Sequence, residues 1–260
     1  MKNIFRTIII ASVAVVVNSA CTEKIDLKLK NSEPQVTIEG RVNDKPGPYY
    51  VAITKSRLYT ENNDFTGIGG AQVIISDDAG NVDTLVPGFI TGLYQTNFIQ
   101  GTVGRTYKLS ATVEGTTYVS LCKMNPPVDI DSILISTETN FQGELKTTTK
   151  MQIHDPAGVP NYYQVFSVRD GYHAGHRDRL WDGKIREFNI PHKDLVSGDT
   201  LEAELWSVSE QVYTFFDQFD QNQNNFGAPA APANPDAVYT PAALGYFSAH
   251  SIKSKTVIIP

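Results

Sequence analysis

A mainly β protein, built from two antiparallel β-sandwiches in series, is what residues 35 to 260 predict, on three observations. Apolar and polar residues alternate with a period of two in several segments, which puts one face of each strand in a core and the other in water. Gly, Asp and Asn recur between these segments at hairpin spacing. Asn125-Pro126-Pro127 interrupts the pattern once, and two prolines cannot sit inside a central strand, so the first domain spans 35–124 and the second 125–260.

The elements follow in order. Val36, Ile38, Gly40 and Val42 alternate with Gln35, Thr37, Glu39 and Arg41 in a first strand. "GAQVIISDDAGNVDTLV" reads as two strands joined by a turn over residues 77 to 81, and "GLYQTNF" as another. Tyr107, Leu109, Ala111 and Val113 form the apolar face of a strand that turns at Glu114-Gly115 into "TTYV". Beyond the prolines, "DSILIST", "KTTTKMQIH", "NYYQVFSVRD", "KIREFNI" and "DTLEAELWSV" are strands, and "GYFSAHSIKS" and "KTVIIP" are the last two. One segment has helical period instead. Val208, Val212, Phe215, Phe216 and Phe219 share a stripe, and Ser207 with Glu210 has capping-box spacing, which predicts one amphipathic helix over about 208–223. The stretch after it, with prolines at 229, 232, 235 and 241, is too rich in proline for regular structure.

Residues 1–20 read as a targeting segment. Lys2 and Arg6 precede an apolar run from Ile8 to Val17, too short for a membrane span and matched to a secretory signal. "NSAC" follows, and small residues before Cys21 resemble the lipobox of bacterial lipoproteins, in which the thiol is diacylated and the cysteine becomes the new N-terminus. Asn18 departs from the aliphatic residue usual three positions before the cysteine. Residues 21–34 then form the lipid anchor and a polar tether. Two acyl chains hold a protein on a membrane without a basic patch. The net charge of -6 agrees, and argues against nucleic acid as a partner. With Cys21 acylated, Cys122 has no disulfide partner and is expected as a half-buried small hydrophobe.

The order of these pieces carries a resemblance. The lipobox, "VTIEGRVNDKPGPYYVAITKS", "GAQVIISDDAG", "GLYQTNFIQGTVGRTYKLSATVEGTTYVS", "PPVDIDSI", "DRLWDGK", "GDTLEAELWSVSEQVYTFF" and "ALGYFSAHS" resemble a Bacteroidota lipoprotein family catalogued as domain-of-unknown-function family 4249. The first half is also similar to transthyretin-like and carboxypeptidase-regulatory-like sandwiches, so the two domains are expected to be Ig-like or transthyretin-like. Membership implies an outer-membrane lipoprotein, often associated with TonB-dependent transport, and no established chemistry. Glu23 and Asp26 after the cysteine resemble surface-export signals in these bacteria.

Candidate sites are few. His173, His176 and Asp178 in "GYHAGHRD" are weak metal or ligand candidates, because the flanking Gly171 and Gly175 suggest a turn that does not aim them together. "SDDAGN" lacks the alternating ligands of a calcium loop. Trp181 and Trp206 offer stacking faces. Two accounts stand for the proline-rich stretch: the loop lies over the helix of Phe215 and Phe219 and covers its outer side, or Phe226, Pro229, Pro232, Pro235 and Tyr239 are a candidate partner surface, where proline lowers the entropic cost of ordering a docking loop. No G-x-S-x-G, H-E-x-x-H, phosphate-loop or dinucleotide fingerprint occurs. The expectation is a non-catalytic binding or accessory lipoprotein with no cofactor. The alternative is a carbohydrate- or peptide-binding surface receptor, or a hydrolase.

Overall fold

The computed structural model describes residues 33–57, 66–139, 142–177, 182–223 and 234–260. Pro34–Pro260 form one compact unit of fifteen strands and one described helix. The first half contributes β1 (Val36–Asn43), β2 (Tyr50–Lys55), β3 (Gln72–Asp77), β4 (Val82–Thr84), β5 (Val86–Pro87), β6 (Leu93–Gln95), β7 (Thr106–Val113) and β8 (Thr116–Lys123). The second contributes β9 (Ile130–Thr139), β10 (Leu145–His154), β11 (Tyr162–Ser167), β12 (Tyr172–Arg177), β13 (Ile185–Asn189), β14 (Thr200–Val208), α1 (Glu210–Gln223) and β15 (Leu244–Ile258).

These strands make three sheets. Eight form one long sheet in the order β12-β11-β14-β15-β1-β2-β6-β5, four form β4-β3-β7-β8, and three form β13-β10-β9. Every named pairing is antiparallel except β1 with β15. Register and alternation assign the faces of the long sheet. Ile38, Gly40 and Val42 of β1 lie beside Gly245, Phe247 and Ala249 of β15, and Lys253, Lys255 and Val257 of β15 continue the same face to Leu205, Ala203 and Leu201 of β14. One end of this face joins Val73, Ile75, Tyr107 and Leu109 in a first core; the other joins Met151, Ile153 and Phe188 in a second. Both smaller sheets therefore pack on the same side of the long one. Helix α1 lies on the opposite side, over β12, β11 and β15.

The two cores divide between Met124 and Val128, on either side of the prolines. The halves are nevertheless joined by shared strands. Trp206, Val208, Val212, Tyr239, Phe247 and Ala249, all beyond the expected boundary, belong to the first core. Two strands expected at the C-terminus are one, β15, fifteen residues long. Residues 247–252 of it are buried on both faces, so its periodicity is lost where it crosses from one core to the other.

Local chemistry explains most boundaries. Glu114 and Gly115 both adopt positive φ, 48° and 84°, the geometry of a two-residue hairpin loop between β7 and β8. The helix begins two residues later than expected because its cap is Ser209, whose Oγ accepts from Val212 N at 3.3 Å; Ser207 is still in β14. Cys122 is buried rather than half-buried, and its sulfur accepts from Ala249 N at 3.2 Å, which ties β8 to β15. Burial raises its thiol pKa, so it is an inert packing group.

A shared strand predicts shared stability. Phe247→Ala, at a fully buried position in β15, should cost about 3–5 kcal/mol in a single urea transition. A fragment of residues 34–124 should show no cooperative melting. Independent melting of that fragment would show that β15 is dispensable to the first half.

Candidate functional site

The structure redistributes the residues that the sequence singled out. His173 and His176 are in a strand, β12, and not in a turn, so their spacing of three aims them at opposite faces. His173 packs under α1 against Phe166 at 5.3 Å and Phe216 at 5.2 Å. His176 stacks on Phe188 at 4.3 Å, on the side of the second core. They cannot share a metal. Among the described residues, no group of three or more His, Cys, Asp or Glu side chains is placed to hold one. The "SDDAGN" turn is likewise self-contained: Asp77 accepts from Ala79 N, Asn81 N and Asn81 Nδ2 and pairs with Arg105 at 2.6 Å. Burial alone would raise the Asp77 pKa, but the hydrogen bonds from Asn81, Arg105 and Ala79 together lower it.

Trp206 is a core residue. Its ring lies between Phe166 at 3.8 Å and His250 at 4.2 Å, and Nε1 donates to Glu204 Oε2 at 2.7 Å. With His173, these rings form a ladder across β12, β11, β14 and β15. Tyr239, expected on a partner surface, is 3% exposed and donates to Tyr246 O at 3.0 Å. It anchors the chain after the proline-rich stretch instead of contacting a partner. Pro235 lines a pocket of about 200 Å³ with Phe215, Phe219 and Asp236, and the Gln218 side chain on α1 exchanges hydrogen bonds with Asp236 at 2.7 and 2.8 Å. Cys21, Asp178, Trp181, Phe226, Pro229 and Pro232 lie outside the described residues.

The feature that the sequence reading missed is at the loop end of the first sandwich. "GLYQTNF" is strand only to Gln95, and Thr96–Gln100 is a loop held from beneath. Asp83, fully buried on β4, receives Asn97 N, Phe98 N, Ile99 N and Asn97 Nδ2, each at 2.9 Å. Burial would raise the Asp83 pKa, yet these donors hold it below the ordinary carboxylate value. On the other side, Tyr49 OH donates toward Asn43 O at 2.7 Å and Lys45 O at 2.6 Å, and accepts from Gly101 N at 3.0 Å. Between the two clamps is an open pocket of about 520 Å³ whose rim carries Pro46, Pro48 and Phe98. Phe98 is 68% exposed. No local pattern announces this, because Asp83 and its donors are fourteen to sixteen residues apart.

The family described as Domain of unknown function (DUF4249) matches residues 22–256. The chain belongs to that family. The resemblance carried by the ordered segments of the sequence is thereby met. A two-fibronectin-type-III-domain segment of chicken tenascin is similar at 10% identity, covering 87% of this chain and 99% of that one, with a TM-score of 0.23. No curated protein matches the chain.

Two measurements test the site's electrostatics. Burial, aided by Arg41, lowers the His250 pKa to about 3, and burial, aided by Arg186, lowers that of His176 to about 4. Both are neutral when folded, whereas unfolded histidine titrates near 6.5. Between these values the unfolded chain binds more protons, so stability should be complete above about pH 6.5 and fall as pH falls. The slope should reach about 1.4 kcal/mol per pH unit for each histidine, and His250→Gln should remove about one proton of it in urea titrations at pH 7, 6 and 5. A slope unchanged by that substitution would put the proton elsewhere. Separately, Asp83→Ala strands three backbone N–H groups and should lower stability by about 3 kcal/mol or more. Amide exchange at Asn97, Phe98 and Ile99 should then accelerate.

Proposed function

We propose that the chain is a non-catalytic lipoprotein of the outer membrane that works by binding, as an accessory component of a TonB-dependent transport system. The sequence support is the charged start, the apolar run and "NSAC" ahead of Cys21. The structural observation that carries the reading is an apolar tip. Phe89, 102% exposed, and Ile90, 59% exposed, sit in the turn between β5 and β6. Gly92 O accepts from Ile53 N at 2.7 Å, and Ile53 pairs with Ile38, so this turn lies at the end of the sheet where the chain enters β1. Exposed apolar side chains at the point of entry suit a protein tethered to a lipid surface. His173, His176, His250 and Trp206, which could have served chemistry, are taken up in packing.

Fractionation tests the reading. Cys21→Ala should move the protein from the membrane pellet to the soluble fraction after a carbonate wash, with an unchanged melting temperature. Persistence in the pellet would overturn the lipid anchor. Protease shaving of intact cells should digest the wild-type protein, and survival until lysis would place it facing the periplasm.

A further inference from the structure

The pocket between the Asp83 and Tyr49 clamps has no role in the reading above, and its chemistry is specific enough to name a ligand class. Its volume of about 520 Å³ is in the range of small-ligand sites. None of the residues lining it, from Pro46 to Pro48 and Gln95 to Gln100, is charged, so an ionic ligand would be desolvated there without compensation. The polar groups that line it divide into two kinds. Thr96 and Asn97 are spent on structure: Thr96 Oγ1 accepts from Tyr49 N at 2.9 Å, and Asn97 Nδ2 donates to Asp83 and to Thr84 O. Gln95 and Gln100 have no hydrogen-bond partner for their amides among the described residues.

Each free amide offers a donor and an acceptor in one plane, which suits adjacent hydroxyl groups. Phe98 supplies an exposed apolar face on the same rim, held in place by the three backbone bonds to Asp83. An aromatic face beside paired donors and acceptors, without charge, fits the alternating C–H and O–H surface of a sugar ring. An extended peptide fits less well. Gln95 is paired on both sides, to Tyr50 of β2 and Val86 of β5, so β6 has no free edge to receive a strand. A proline-rich helix would need a groove with several aromatics, and this one has one.

We propose that this pocket binds a neutral carbohydrate, with Phe98 as the stacking face and Gln95 and Gln100 as hydroxyl readers. The proposal rests on the binding role inferred above and adds its ligand class, but it does not depend on the lipid. The clamped backbone favours binding, since the loop that carries Phe98 is held by Asp83 before ligand arrives.

The test uses the full chain purified in detergent, applied to an array of neutral and acidic oligosaccharides, followed by calorimetry with the strongest neutral binder. Wild-type protein should bind neutral glycans. Phe98→Ala and Gln95→Ala should each weaken that binding at least tenfold while leaving the melting temperature within about 2 °C, because neither side chain is in a core. The proposal is overturned by binding to acidic glycans only, by no binding to the array, or by unchanged affinity in Phe98→Ala. If glycan binding fails while a membrane protein still co-purifies with the wild-type chain, the accessory role stands and only the ligand class falls.

Discussion

The fold depends on one strand that serves two cores. β15 is inserted between β1 and β14, parallel to the first and antiparallel to the second, and it closes the gap between segments about 165 residues apart in sequence. Its approach to β1 leaves no room for side chains at the start. A Cβ on Gly245, where φ is +93°, would lie 2.2 Å from Ile38 O, and one on Gly40 would lie 3.0 Å from Leu109. Further along, Lys253 reaches Asp129 at 2.7 Å and Lys255 donates to Ile130 O and Asp131 O, so the same strand orients the entry to β9. Contacts at this sequence separation form late, after the cost of closing a long loop is met. Neither half gains its full core before that.

This explains what the sequence made legible. β1 and β7 alternate cleanly because each has one face in the first core and one outside it, and those faces were read correctly down to Val36, Ile38, Val42, Leu109 and Val113. β15 hid its length because its middle is buried on both faces, where alternation carries no information. β12 hid for the opposite reason: one glycine within it, another just before it and two histidines look like a turn, yet its register with β11 runs without a break from Tyr172 to Arg177. Ser207 was the wrong cap for a simple cause. Two serines stand two residues apart, and only the one outside the β14 ladder can turn its hydroxyl to the helix.

The candidate site was less legible than the fold, for a related reason. Aromatic and histidine residues draw the eye in a sequence, but here His173, Trp206 and His250 pack against other rings on the helix-covered face, and His176 stacks on Phe188 on the other. His250 shows the cost: Nδ1 meets Ser248 Oγ at 2.8 Å while Nε2 has no partner among the described residues, and its neutrality follows from that burial. The residues left at the surface with uncommitted chemistry are plainer ones, a phenylalanine and two glutamines. What distinguishes them is the clamp beneath, and a carboxylate that gathers three consecutive N–H groups across fourteen residues leaves no local signature.

The two ends of the long sheet are chemically different, and β1 fixes which is which. The chain enters at Val36 beside the apolar tip of Phe89 and Ile90, and leaves β1 at Asn43 beside the turn that carries Pro46 and Pro48. Eight residues of strand separate these ends by roughly 25 Å. At the entry end, Gln35 N donates to Ser56 Oγ at 2.8 Å and Ser56 N to Gln35 O at 2.8 Å, so a pull on the chain ahead of Gln35 would be carried by the β1–β2 ladder. At the far end, loops rather than strands are exposed, and two buried groups, Asp83 and Tyr49, hold them still. A tether and a binding surface at the same end would compete for space. In the tethered protein proposed above, the point where the chain enters β1 and the pocket that Phe98 borders lie at opposite ends of that strand, so the two functions occupy separate surfaces of the sheet.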